Sequence, residues 1–514
     1  MNKYYTLRIA LAVSLGGFLF GFDASVISGV IEFIKPQFGL DELRAGWVVS
    51  SPSFAAMFAM LASGTISDYI GRKKVLIWVG LLYSVSAIAS ALAPGWEVLV
   101  VARMIGGVAF GAALVLAPVY IAEIAPPAER GKLVSIQQFN IVLGFSVSYF
   151  TNYLLLNAME NGSSLLTREN IWRWMLGIET LPALVYFALM LMVPGSPRWL
   201  IMKNRKQKAA KILNKIYGAD NGPRQLKELE ANLQHSSSGR KLTLRTLFTK
   251  SLALVMTVAL ILGIVQQVTG INAVLFYAPA IFKQSGVGTN AAFAQAVLVG
   301  VIQVIFTVLA MLLIDKAGRK PLILAGLAGV VVSMAITSYA FSKANFTLTE
   351  ESIENLPEEI SRMNLHNLTG KTYYSDLEFR KVIKPAIGEK VFDRNEAALL
   401  EATININAIL VLIGILLFIA SFAVSLGPVM WVVLSEIFPN KIRGGAIALI
   451  GFINSLASFG VQLLFPWELS HLGNASTYAL FGLTGLAGFI LLAWLMPETK
   501  GKSLEQLEID LMKE

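Results

Sequence analysis

Apolar residues run through this chain in long unbroken blocks, not in the one-sided stripes of a soluble surface helix. Twelve blocks can be placed, near 9–34, 45–66, 75–93, 97–123, 132–156, 174–194, 252–282, 291–314, 321–342, 406–435, 445–468 and 475–496. Each is close to the roughly 20 residues an α-helix needs to cross a bilayer. The pattern predicts an all-α membrane protein. Lys3 and Arg8 precede the first block as in a signal peptide, but no small-residue cleavage site follows, so that block reads as a retained span.

The polar stretches between blocks differ in charge. Arg72-Lys73-Lys74, Arg130 with Lys132, Lys316 with Arg319-Lys320, and Lys441 with Arg443 fall on one side, as do both termini and the basic segment 195–250. The turns near 94–96, 285–290 and 469–474 carry no Lys or Arg, so the basic side is expected to be cytoplasmic. Within 195–250, Leu and Ile at helical spacing over Lys206–Ile216 and Gln225–Leu233 predict amphipathic helices at the cytoplasmic surface. Segment 343–405 is a polar insertion expected on the opposite side. The expected domains are 1–194, a six-helix bundle; 195–250, a cytoplasmic helical segment; 251–496, a second six-helix bundle holding the insertion; and 497–514, a cytoplasmic tail.

Some polar residues lie inside blocks, where they are costly unless something polar meets them. Gln266, Gln267, Thr269, Asn272 and Tyr277 crowd into one block. On a continuous helix Gln267 and Asn272 would sit about 140° apart, and Gly270 between them permits a local break. Amides both donate and accept hydrogen bonds, which suits a neutral polyhydroxylated guest.

The two halves of the chain repeat. Ser67-Asp68-Tyr69-Ile70-Gly71-Arg72-Lys73 is echoed by Ile314-Asp315-Lys316-Ala317-Gly318-Arg319-Lys320, about 247 residues later. Glu123 with Arg130 is echoed by Glu436 with Arg443, about 313 residues later. The excess of about 66 matches the insertion at 343–405. The recurrence predicts an ion-pair latch in each half, Asp68, Arg72, Glu123 and Arg130 in the first, Asp315, Arg319, Glu436 and Arg443 in the second. Plain positive-inside loops are the alternative.

Composition supports the membrane reading. The 514 residues are 55% hydrophobic and 15% charged, with mean hydropathy +0.64, against about 25% charged in soluble domains. With no cysteine and three scattered histidines, there is no thiol chemistry, no Cys-ligated metal and no His cluster, and no cofactor is expected. The net charge of +9 lies in the short loops, so nucleic acid is not an expected partner. Gly106-Gly107-Val108-Ala109-Phe110-Gly111 lies inside a span, not after a strand, and reads as helix packing rather than a nucleotide loop. An enzyme is therefore not expected. A sugar sensor would be expected to carry a long output tail, and only about 18 residues follow Met496.

In its motifs the chain resembles a sugar porter of the major facilitator superfamily. The carrying residues are Gly71-Arg72-Lys73-Lys74 and its echo, Arg103-Met104-Ile105-Gly106-Gly107, Glu123 with Arg130, Trp172-Arg173-Trp174, Pro194-Gly195-Ser196-Pro197-Arg198-Trp199, the Gln266–Tyr277 stretch, Gly427-Pro428-Val429-Met430-Trp431 and Pro497-Glu498-Thr499-Lys500-Gly501. The resemblance implies two six-helix bundles alternating around a central site. It implies sugar contacts at Gln138, Gln266, Gln267, Asn272, Phe276, Tyr277 and Trp431, with Phe20 closing the pocket; for Phe20 and Phe276 ordinary packing is the competing reading. Gln303 stands where Asn is frequent. Asn454-Ser455 stands where an amide–Trp pair is common, so the pocket lacks an indole and the sugar stays open. Gly195 stands where Glu is usual, a change expected to act on the latch.

Asp23 lies mid-span, where a carboxylate must be neutral or paired. Arg103 is the expected partner. Proton-coupled relatives carry an acid at this position, which points to sugar–proton symport; a permanent Asp23–Arg103 pair in a uniporter is the alternative. Glu179, a second intramembrane acid, is expected to bond backbone near the fourth helix and support Arg103. The expected substrate is a pentose or hexose, with a polyol such as inositol as the competing class. The expected setting is a lipid bilayer, as a monomer in a bacterial inner membrane.

Overall fold

The computed structural model describes residues 3–126, 129–236, 249, 252–354, 356–361, 363, 365–439 and 442–500. Most of the tail 497–514 and the end of segment 195–250 therefore lie outside the described residues.

Twelve spans long and apolar enough to cross a membrane are present among them. The first half comprises α1 (Lys3–Phe38), α2 (Glu42–Ile70), α3 (Arg72–Ala91), α4 (Trp96–Ile124), α5 (Arg130–Glu160) and a sixth span bent into α6 (Ile171–Gly177) and α7 (Thr180–Met192). The connecting segment holds α8 (Pro197–Met202), α9 (Lys206–Tyr217) and α10 (Gly222–Ser236). In the second half, the seventh block is not one helix but α11 (Ala253–Val268), α12 (Ile271–Phe276) and α13 (Ala278–Lys283). It continues with α14 (Thr289–Ala317) and α15 (Arg319–Ser342). The insertion contributes α16 (Glu350–Glu354), α17 (Glu358–Ser361), α18 (Asp376–Ile387) and α19 (Glu389–Thr403). The tenth block is α20 (Ala408–Val424) and α21 (Leu426–Ile437), followed by α22 (Arg443–His471) and α23 (Asn474–Leu495).

The chain forms two six-helix bundles, the arrangement expected from the twelve blocks and the internal repeat. Close backbone approach sets their packing. A Cβ added to Gly144 on α5 would sit 2.1 Å from the Phe18 carbonyl oxygen of α1, so only glycine allows that crossing. Gly71 and Gly318 hold φ of +101° and +97°, the left-handed region that lets α2 turn into α3, and α14 into α15, within one residue.

Segment 195–250 is helical where the Leu and Ile spacing predicted. Ser196 caps α8 by accepting from Trp199 N at 3.2 Å. Ala209, Leu213 and Ile216 of α9 are buried, and its lysines are exposed.

The sequence marked 343–405 only as a polar insertion. It is a folded unit. Strands β1 (Asn345–Thr347), β2 (Thr372–Tyr373) and β3 (Ile404–Asn405) pair antiparallel in the order β2-β1-β3. Beneath them Phe346, Leu348, Phe379, Ile383, Phe392 and Leu399 make a core of their own. The unit is tied to the second bundle through Asp376 Oδ2, which accepts from Asn474 N and Nδ2 at 3.1 Å each, at the start of α23. It reaches the first bundle through Glu396, held by Arg380 at 2.5 Å and by Lys35 of α1 at 3.7 Å.

The end that carries the insertion is shut. Across the bundles Lys283 pairs with Glu32, Asn290 donates to Glu160, and Tyr149 donates to the Leu275 carbonyl; the Phe33 and Phe293 rings lie 6.5 Å apart. At the end of the basic turns no ion pair joins the bundles among the described residues.

Burial opposes the charge of Glu396, yet Arg380, and after it Lys35, hold its carboxyl down at about 2. A carboxyl lowered by folding stabilises above its unfolded range and loses that contribution as pH falls. The insertion is thus expected to keep this contribution above about pH 4.5 and lose it as pH falls toward 2. Melting curves of wild type and Glu396→Gln check this: the variant should melt lower at neutral pH and the two should converge in acid.

Candidate substrate and proton site

The amide cluster follows from a helix break. At Gly270, φ is +88°, and a Cβ there would meet the Phe481 ring at 2.4 Å. The turn between α11 and α12 changes the sequence-level geometry. The break brings Gln267 and Asn272 together: Asn272 Nδ2 donates to Gln267 Oε1 at 2.8 Å. Gln266 Nε2 donates to the Leu426 carbonyl at 2.9 Å, at the start of α21. Gln266 Oε1 accepts from Asn454 Nδ2 at 2.8 Å and from Gln267 Nε2 at 3.3 Å. Gln267 Nε2 also reaches Asn454 Oδ1 at 3.2 Å, and Asn454 donates to the Gly263 carbonyl at 2.7 Å. Four of the expected contacts, Gln266, Gln267, Asn272 and Asn454, thus form one network between α11, α12 and α22.

The network extends through residues the sequence reading missed. Asn272 Nδ2 donates to Ser458 Oγ at 2.7 Å, and Gln462 Nε2 donates to the same oxygen at 2.6 Å. Ser53 of α2, in the other bundle, donates to Gln462 Oε1 at 3.1 Å. A signal was available: Asn454, Ser458 and Gln462 recur every four residues, one polar face along an apolar helix.

The expected aromatics divide. Tyr277 donates its hydroxyl to the Gln462 carbonyl at 3.3 Å and packs on Phe465. Phe276 stacks on Phe145 of the first bundle at 6.2 Å. Phe20 lies against Phe110 at 4.7 Å and Phe145 at 6.2 Å, so one aromatic column crosses the bundle boundary. Trp431 is 39% exposed, and a Cβ on Gly451 would lie 3.8 Å from its ring. The tenth span breaks at Ser425, with φ −128° and ψ −96°, two residues before Gly427-Pro428. Gln303 is buried with its Oε1 unpartnered, and it makes no hydrogen bond with the cluster among the described residues. Gln138 is half-buried on α5 and likewise outside the network.

Asp23 and Arg103 meet as expected. Arg103 Nη1 donates to Asp23 Oδ1 at 3.3 Å, Nη2 to the Asp23 carbonyl at 3.5 Å, and Nε to the Val48 carbonyl at 3.1 Å. Both side chains are buried. The second carboxylate oxygen, Oδ2, has no partner and faces Gly106. Glu179 is buried within electrostatic reach of both. The expected bond from Glu179 to backbone near the fourth helix is not present among the described residues; the residue stands at the head of α7, just past the bend from α6.

The latch residues pair within each bundle. Arg72 meets Asp68 at 2.6 Å and Glu123 at 3.3 Å; Arg319 meets Asp315 at 3.1 Å and Glu436 at 2.8 Å. Arg130 and Arg443 are not part of either set, which corrects the sequence expectation. Arg130 is exposed at the head of α5, and Arg443 turns back to the Phe438 carbonyl at 3.0 Å. Two further residues complete the sets: Ser196 donates to Glu123 at 2.5 Å and Thr499 to Glu436 at 2.6 Å. Preceding Thr499, Glu498 caps α15, accepting from Arg319 N and Lys320 N at 3.1 Å each. Preceding Ser196 stands Gly195, and α3 has no side-chain cap.

A family model described as "Sugar (and other) transporter" matches residues 9–356 and 392–511. The chain is 34% identical to the arabinose-proton symporter of Bacillus subtilis, over 98% of this chain and 94% of the relative. It is also 34% identical to the D-xylose-proton symporter of Escherichia coli, over 99% and 96%. The structure is similar to the inward open conformation of the xylose transporter XylE from E. coli, with TM-score 0.75 and 31% identity over 98% of this chain and 99% of the other.

Gly195→Glu tests the difference between the two halves. The added carboxylate is expected to cap α3 as Glu498 caps α15, and a cap contributes about 1 kcal/mol. Thermal melting in detergent should show a rise; an unchanged or lower melting point counts against the equivalence of the two positions.

Proposed function

Since the chain belongs to the sugar porter family of the major facilitator superfamily, a family of multi-pass membrane transporters and not of enzymes, we propose that it imports a neutral monosaccharide, a pentose or hexose, together with a proton. The observation that carries this reading is the pairing of a buried amide network with a buried carboxylate that has one free oxygen.

Sugar hydroxyls both donate and accept, and so do the amides of Gln266, Gln267, Asn272 and Asn454. Trp431 offers a ring face to the apolar side of a pyranose, and Gln138 and Gln303 lie ready to add contacts from α5 and α14. The absence of a cationic side chain in the network argues for a neutral guest. The shut insertion end, the lack of an ion pair between the bundles at the basic turns among the described residues, and the likeness to an inward open relative support reading this state as inward-facing, with the basic side cytoplasmic by the charge of its loops.

The cycle begins outward-facing with Asp23 protonated on Oδ2. Neutral Asp23 loosens Arg103, and sugar on the amides completes closure of the outer end through Phe276, Tyr277 and the Lys283–Glu32 pair. The bundles then part at the basic turns, where Arg72 and Arg319 keep to their own bundles. Sugar leaves, Asp23 releases its proton inward, and the charge pair with Arg103 reforms. A lone charge at the membrane centre costs about 3 kcal/mol, so the ionised acid favours the paired, sugar-free state.

Purified protein in proteoliposomes is expected to exchange labelled pentoses or hexoses in counterflow and to accumulate them when the outside is acidic. Asp23→Asn should retain counterflow and lose accumulation; one pH unit of gradient corresponds to about tenfold accumulation. Accumulation that persists in this variant sinks the coupling role of Asp23. Wild-type uptake indifferent to the gradient points instead to a facilitator, and a panel that includes inositol tests the substrate class.

A further inference from the structure

Gln462 has no exposed surface, and both ends of its amide are taken up by the protein at the far end of the amide network. Its Nε2 donates to Ser458 Oγ at 2.6 Å, and its Oε1 accepts from Ser53 Oγ at 3.1 Å across the bundle boundary. A polar side chain buried in an apolar helix is costly unless satisfied on both ends, and here both ends are used.

The directions of these bonds decide what the site offers. Ser458 Oγ has two lone pairs; one accepts from Gln462 and the other from Asn272 Nδ2 at 2.7 Å. Its own O–H is therefore left to donate. Both hydrogens of Asn272 Nδ2 are committed as well, to Ser458 Oγ and to Gln267 Oε1 at 2.8 Å. The Asn272 carbonyl oxygen is thereby left to accept. A donor and an acceptor on adjacent, mutually bonded groups match a hydroxyl, which needs one of each. Remove the Gln462 amide, and Ser458 recovers a free lone pair and freedom to rotate. The donor–acceptor pair then loses its fixed sense.

We propose that Gln462 is a positioning residue for sugar recognition: through Ser458 it orients Asn272, and through Ser53 it ties that orientation to the contact of α2 with α22. The inference rests on the sugar reading above and adds to it a residue behind the binding face. Ser53 makes the arrangement depend on both bundles, since separation of α2 from α22 at this level removes one of the bonds that fix the Gln462 amide.

The test uses the full-length protein, in detergent for binding and in proteoliposomes for transport, with the sugar that wild type takes best from a panel of labelled pentoses and hexoses. Gln462→Met keeps the volume and removes both hydrogen bonds. It is expected to raise both Kd and KM about tenfold, the change that one lost oriented hydrogen bond of 1.4 kcal/mol produces, with maximal rate within about twofold. Ser53→Ala, which leaves the Gln462–Ser458 bond in place and perturbs folding least, should raise Kd about threefold. If Kd and KM are unchanged in both variants, or if maximal rate falls at constant Kd, the positioning role is overturned and Gln462 only packs the seam. A wild type that binds no sugar of the panel overturns the sugar reading and this inference with it. Wild-type binding matched by Gln462→Met overturns this inference alone.

Discussion

Hydrocarbon does not forgive an unsatisfied polar group, and the structure is arranged around that rule. Four side-chain amides meet in the second bundle, three of them buried and Asn272 partly so, and Asn272 joins the others because the seventh span breaks at Gly270. A continuous helix would have turned Gln267 and Asn272 apart. The broken one lets Asn272 fold back onto Gln267 while its other hydrogen reaches Ser458. On the proposed reading, satisfaction within the protein and readiness for a hydroxylated guest are the same arrangement, because amide–amide bonds are of the kind a sugar can replace.

A similar economy governs charge. Arg103 takes two backbone carbonyls as well as Asp23, so the guanidinium stays satisfied when the acid is neutral. Asp23 has no such reserve, with one oxygen unpartnered. This asymmetry is what the proposed proton coupling at Asp23 relies on. At the basic turns the two halves repeat one design: arginine between two acids, closed by a hydroxyl from a segment beyond the bundle, Ser196 in one and Thr499 in the other. One difference between the copies is Glu498 against Gly195: Glu498 accepts from Arg319 N and Lys320 N at the head of α15, and no side chain does so at the head of α3 among the described residues.

The insertion stands apart from this repeat. The family match omits residues 357–391, and that stretch belongs to a unit with its own sheet and core. It sits on the shut end, bonded to α23 through Asp376 and to α1 through Glu396. Its polar sequence pattern hid the fold, because small units have short strands and few core positions; Phe346, Phe379 and Phe392 are too widely spaced to register as a periodic signal.

Much of this architecture is written in the chain itself. Block length against bilayer thickness gives twelve helices, loop charge separates the two ends, and the echo of Asp68–Arg72 in Asp315–Arg319 gives the two halves. Span chemistry likewise exposes Gln266, Gln267, Asn272 and Asp23, since any polar residue in an apolar block needs a reason. Pairing is another matter. That Arg130 and Arg443 stand aside, that Ser196 and Thr499 join instead, that Gln303 makes no hydrogen bond with the cluster while Gln462 does, all depend on how distant helices are rotated and how far apart they pass. Hydrogen bonds are short and directional, so a helix turned by a third of a revolution exchanges one partner for another without any change in the pattern along the chain. Periodicity determines which residues share a face; only the packed bundles decide what that face meets.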